Sequence, residues 1–114
     1  MGFKSHVIFA VEESTLTLAL SGIKNLALAK EVNDLLNSQR TTSAKEAGWI
    51  MFEFEWTTWS TGYADIRWIT EFMSELEDEQ FYFIRLGEED MEEAGDPTLC
   101  PWDIEYVRQL NIIY

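Results

Sequence analysis

Residues 49–56 (WIMFEFEW) alternate with a period of two: Ile50, Phe52, Phe54 and Trp56 share one side, and Trp49, Glu53 and Glu55 share the other. Only an extended strand turns successive side chains to opposite faces, so this segment predicts a strand with one apolar face against a core and one wet face. A lone strand cannot bury such a face. The rest of the chain must therefore supply further strands beside it and a layer over it.

Residues 6–11 (HVIFAV) form a β-rich apolar run, and residues 15–20 (TLTLAL) place Leu16, Leu18 and Leu20 at every second position. With the polar Glu12, Glu13 and Ser14 between them, the two runs predict a hairpin, broken at Ser21 and Gly22. From residue 23 to 39, Leu28, Val32, Leu35 and Leu36 recur at three and four, the stripe of an amphipathic helix. The polar segment SQRTTSAKEAG reads as a loop ending at Gly48. Ser60 or Thr61 is the expected N-cap of a second helix over residues 63–76, striped by Ile66, Ile69, Phe72, Met73 and Leu76.

Residues 80–86 (QFYFIRL) predict a strand, with Phe81, Phe83 and Arg85 on one face and Tyr82, Ile84 and Leu86 on the other. An acidic loop over about residues 87–101 and a β-rich run over residues 104–114 complete the chain. The order β-β-α-β-α-β-β predicts an α+β fold: a single, mostly antiparallel sheet of about five strands with two helices on one face. At 114 residues, one domain over residues 1–114 is expected.

The charge is split rather than spread. Residues 1–48 carry five bases and five acids, whereas residues 49–114 carry sixteen acids against Arg67, Arg85 and Arg108, so the formal charge of −13 belongs to the second half. With 46% hydrophobic and 14% aromatic residues, the chain is no disordered acidic tail. An acidic field on a folded domain repels nucleic acid and anionic membranes and steers basic proteins toward it, so neither direct nucleic-acid binding nor membrane binding is expected. Cys100 is the single cysteine, which excludes an internal disulfide framework and fits a reducing compartment. The first residues carry too short an apolar run for a secretory signal, and no stretch approaches the ~18 apolar residues of a membrane span. A cytoplasmic location is expected.

The strongest cluster is Glu71, Glu75, Glu77, Asp78, Glu79, Glu88, Glu89, Asp90, Glu92, Glu93 and Asp96, opposed by Arg85 alone. Acidic loops at the two ends of the 80–86 strand lie roughly 20 Å apart, which makes a stripe rather than one pocket. Such a stripe can imitate a phosphate backbone. Glu53, Glu55, Trp49 and Trp59 are added as partner-binding candidates, because an aromatic ring beside carboxylates suits arginine or lysine. Trp56 and Trp68 are assigned to packing. The plainer alternative for the cluster is a set of solubilising loops.

Catalytic and cofactor chemistry find little footing. His6 is the only histidine, and nothing local to it supplies a group to orient it as a base. Isolated glycines exclude a GxGxxG loop. An EF-hand frame begun at Asp90 sets Glu92 and Gly95 correctly but puts Ala94 and Pro101 where ligands belong. No metal, cofactor or catalytic residue is expected, and the chain is read as no enzyme.

In size, acidity and lack of catalytic apparatus, the chain is similar to phage-encoded anti-CRISPR and anti-restriction inhibitors and to the immunity proteins that silence nuclease toxins. No motif ties it to one such family. The expectation is a small acidic inhibitor that neutralises a basic, nucleic-acid-acting protein, such as a nuclease, by nucleic-acid mimicry. The alternative is a regulatory or assembly subunit forming a homodimer through the aromatic strand edge of residues 49–56 or through the C-terminal strand.

Overall fold

The computed structural model describes residues 4–38, 41–87, 90–96, 98 and 101. Its architecture is α+β: one antiparallel sheet in the order β2-β3-β1-β4-β5, with three α-helices on one face. The first strand, β1 (Lys4–Glu12), is the middle one, and every residue from Ser5 to Val11 is buried. The unbroken apolar run at 7–11 follows from that position, since a strand covered on both faces has no use for alternation. Val7, Phe9 and Val11 face the helices, whereas Ile8 and Ala10 belong to a second cluster on the opposite face.

Residues 15–20 do not return as a strand. They lie within helix α1 (Glu13–Ser21), which starts directly where β1 ends. Both flanks of β1 are occupied, by β3 on one side and β4 on the other, so no ladder position remains for a hairpin partner. Leucine and alanine favour helix, and the two-residue spacing is incidental: Leu16 is 4% exposed and Leu18 is 75% exposed. Helix α2 (Leu26–Leu36) begins three residues later than the periodicity suggests, because Asn25 caps it, accepting from the N–H groups of Ala27 and Leu28.

The expected loop before Gly48 is instead a strand, β2 (Thr41–Glu46), paired with β3 (Trp49–Thr58). Ala47 and Gly48 connect them with φ of 51° and 81°. A two-residue connection with both φ values positive suits the twist of a tight hairpin. The polar sequence TTSAKE owes its strand form to pairing along β3 rather than to its own propensity.

Helix α3 (Ala64–Ser74) buries Ile66, Ile69, Phe72 and Met73 as the stripe predicts. Its N-cap is Tyr63, without a side-chain bond. The expected cap, Ser60, acts one turn earlier, where its hydroxyl accepts from the Gly62 N–H and its carbonyl from the Tyr63 N–H. Strands β3 and β4 (Phe81–Leu86) both run antiparallel to β1 and hence parallel to each other. Parallel strands need a crossover, and α3 provides it.

Phe9 packs on Phe52 and edge-on to Phe72, each at 6.4 Å, and Trp68 stacks on Phe72 at 5.4 Å. The face of β3 expected to be wet carries part of the second cluster, with Trp49 and Met51 packed against Ile8, Ala10, Tyr82, Ile84 and Leu86. The expected final strand over residues 104–114, Cys100, Trp102 and the side chain of Trp56 lie outside the described residues.

Candidate functional site

A fifth strand interrupts the expected acidic loop. Residues Met91–Gly95 form β5, which pairs antiparallel with β4 from Leu86↔Met91 to Tyr82↔Gly95. The sequence MEEAG carries almost no strand propensity, so the pairing is visible only once β4 is in place. The consequence is geometric. Because β5 runs back along β4, Asp96 returns to the start of β4, where its N–H donates to the carbonyls of Asp78 (2.9 Å) and Phe81 (3.1 Å).

Asp78 opens a 3₁₀ turn (Asp78–Gln80) that leads into β4. Glu77 and Gln80 close that turn as a reciprocal capping box. Glu75, at the C-cap of α3, and Glu77, Asp78 and Glu79 are all exposed. The structure thus brings Glu75, Glu77, Asp78, Glu79 and Asp96 to one end of the β4–β5 hairpin and Asp90 to the other. Glu92 and Glu93 lie between, on opposite faces of β5.

Arg85 is the one cation of this region among the described residues, and four of its five N–H donors are engaged. Its Nε–H donates to Glu92 Oε1 at 2.8 Å, its two terminal nitrogens to Asp90 Oδ1 and Oδ2 at 3.3 and 2.9 Å, and one of them also to Ser5 Oγ at 3.1 Å. The bidentate pairing is the geometry a guanidinium prefers with a carboxylate. The hydrogen bond to Arg85 holds the Asp90 carboxyl below the usual aspartate range, and the same bond raises the Arg85 guanidinium above its ordinary value. Asp96 is also lowered, because the Thr98 hydroxyl and N–H both donate to its Oδ1.

Two other candidate acids have partners across the opposite face. Glu53 Oε2 lies 2.6 Å from His6 Nε2, and the two side chains are 21% and 8% exposed. This is a partner for His6 that no local sequence could reveal, since the residues are 47 apart. The Tyr82 hydroxyl donates to Glu93. Glu55 is exposed on β3, remote in sheet order from β5. Trp49 packs into the second cluster, and Trp59 lies on the helix face, its ring 5.3 Å from Phe54 and 5.9 Å from Phe83. Glu88 and Glu89 lie outside the described residues.

Beside the acidic hairpin, the helices leave part of their face of the sheet uncovered. An open cleft of about 1240 Å³ lies there. Phe81, Phe83 and Arg85 of β4 and Glu92 and Ala94 of β5 line it from the sheet, the 58–63 segment with Trp59 and Tyr63 from one side, and Thr70, Met73 and Ser74 of α3 from another. Sequence reasoning found Trp59 and the acids but not the cleft, whose walls come from five separate segments, Ser5 of β1 included.

No group of three or more His, Cys, Asp or Glu suited to a metal ion occurs among the described residues, and none of their helices is long and apolar enough to cross a membrane. The expected dimer edge is not an edge, since β3 is paired on both sides, with β2 and β1. No protein-family model, curated protein or solved structure matches this chain.

Proposed function

We propose that this protein is a small, non-enzymatic, acidic binding protein that engages a basic, nucleic-acid-acting protein and inhibits it by standing in for nucleic acid. The observation that carries this reading is the junction of Asp96 with Asp78, which makes one carboxylate-rich hairpin of two acidic segments. Strand β5 alone spans about 17 Å. Over that length and the adjoining turn lie Glu75, Glu77, Asp78, Glu79, Asp90, Glu92, Glu93 and Asp96, offset by Arg85. One DNA strand carries about five phosphates over the same distance and a duplex about ten. The density is of the right order to compete for a basic cleft.

The same acids are poorly placed for the protein's own stability. Glu71 and Glu75 end α3, whose last turn has no base, so they sit at the negative end of the helix dipole. Carboxylates placed where they work against folding are more readily explained by a partner than by solubility alone. The single cysteine and the nature of such a partner favour action in the cytoplasm, and phage-encoded inhibitors and toxin-immunity proteins are the kinds of protein that work in this way.

The test is a salt-graded pull-down from bacterial lysate with wild type and the triple reversal Glu75→Lys, Asp78→Lys, Glu79→Lys, followed by assay of the captured protein's nuclease or DNA-binding activity. Capture at low salt, loss at high salt and in the reversal, and stoichiometric inhibition are the expected results. Undiminished capture and inhibition by the reversal would sink the mimicry.

A further inference from the structure

We infer that the cleft beside the acidic hairpin is a receptor for arginine side chains on a basic segment of the partner, an inference that rests on the function proposed above and gives it a docking point. Its charge and its rings decide the ligand class. Arg85, the one cation among the described lining residues, is largely committed: four of its five N–H donors go to Asp90, Glu92 and Ser5. It has little left for a phosphate or carboxylate.

Two of the lining hydroxyls are committed as donors as well. Thr70 Oγ1 donates to the Ile66 carbonyl at 2.9 Å, and Ser74 Oγ donates to the Glu71 carbonyl at 2.6 Å, so each keeps only lone pairs for a guest. Asp78, Asp90 and Glu92 add carboxylate oxygens to the lining. With three carboxylates against one committed guanidinium, the described lining is net negative. That charge repels an anion, and a purely apolar guest would strip water from the carboxylates without replacing it.

The remaining surface is aromatic. Trp59, Tyr63, Phe81 and Phe83 contribute rings, and Tyr63 is 55% exposed. Acceptors set among rings are the surroundings a guanidinium prefers, because it donates in its plane and stacks through its faces. At about 1240 Å³ the cleft exceeds the ~300–1,000 Å³ of a small-molecule pocket, which fits a length of chain better than a free metabolite. Asp78 belongs both to the lining and to the acidic hairpin, so one bound segment reaches both surfaces.

The experiment is an amide and indole NMR titration of the full chain with the peptide acetyl-Gly-Arg-Gly-Arg-Gly-Arg-amide and its citrulline counterpart, which keeps shape and loses charge. Saturable shifts at the Trp59 indole and at the Thr70, Ser74 and Ala94 amides are expected with the arginine peptide. Affinity should fall about tenfold in Tyr63→Ala or Asp78→Asn and stay unchanged in Glu31→Gln, an exposed acid of α2 that does not line the cleft, with β1 amides unmoved as the check on folding. Equal binding of the citrulline peptide, or shifts spread evenly over all acidic residues without saturation, overturns the inference. If cleft shifts are absent while the reversal at residues 75, 78 and 79 still abolishes partner capture, the cleft falls and the acidic edge stands. Cleft shifts without capture of any basic partner leave the arginine receptor standing and remove the inhibitor role.

Discussion

The backbone N–H of Asp96 donates to the carbonyl of Asp78 at 2.9 Å, tying the end of β5 to the turn that begins β4. Two residues eighteen apart in sequence become neighbours, and the acidic segments on either side of β4 become one surface. Local repulsion is the consequence. Each carboxylate added to that surface raises the free energy of the folded state, and anything basic that docks there lowers it.

Glu75→Lys should therefore separate stability from binding. Replacing an acid at the C-cap of α3 with a base reverses an unfavourable dipole contact, and a gain of about 0.3–1 kcal/mol is expected in urea unfolding. Capture of a basic partner should weaken in the same variant. A variant that loses stability would show that the α3 terminus does not govern the local field.

At the β2–β3 turn, Ala47 holds a φ of 51°, a region where side chains other than asparagine, aspartate and glycine are strained by about 1–2 kcal/mol. Ala47→Asn produces the Asn-Gly pair that such turns favour, and should raise stability by about 0.5–1 kcal/mol without moving the midpoint of partner binding. Equilibrium denaturation of the two proteins checks it.

Gly95 is different in kind from Gly48. Both have positive φ, but a Cβ at Gly48 would meet open space, whereas one at Gly95 would lie 2.2 Å from the Phe81 carbonyl oxygen. Gly48→Ala is expected to cost about 1–2 kcal/mol from backbone strain alone. Gly95→Ala should cost about 2–4 kcal/mol and speed amide exchange at Asp96, because β5 must shift away from β4.

Acidification should loosen the far end of the same hairpin. The folded pKa of Asp90 is depressed by Arg85, so its ion pair contributes stability above the ordinary aspartate value of 3.8 and loses it as pH falls through the depressed folded value. A carboxyl titration of Asp90 by NMR should show a midpoint below 3.8 in wild type. In Arg85→Gln the midpoint should return toward it. An unchanged midpoint would mean that Arg85 does not hold the carboxylate in solution.

The elements that were legible in the sequence are those whose pattern matches their burial. The alternation of Phe52 and Phe54, the stripe of Ile66, Ile69, Phe72 and Met73, and the strand over 81–86 all emerge in the structure as read. The failures have one cause. Strands β2 and β5 are polar and owe their form to a neighbour distant in sequence, and TLTLAL is helical because β1 has no free flank. Among the site residues, the acids were visible individually, but the Arg85 clamp, the His6–Glu53 pair and the cleft walls depend on pairings that no local window contains.

Strand β5, with β4 as its sole strand neighbour among the described residues, also governs how copies of this chain meet one another. It turns Glu92 to one face and Glu93 to the other, so two β5 strands laid side by side would set like charges within about 5 Å on both faces. An outer strand built in this way is a poor template for its own polymerisation. A charge pattern that attracts a basic partner would thus, at the same strand, oppose the side-by-side pairing of two copies.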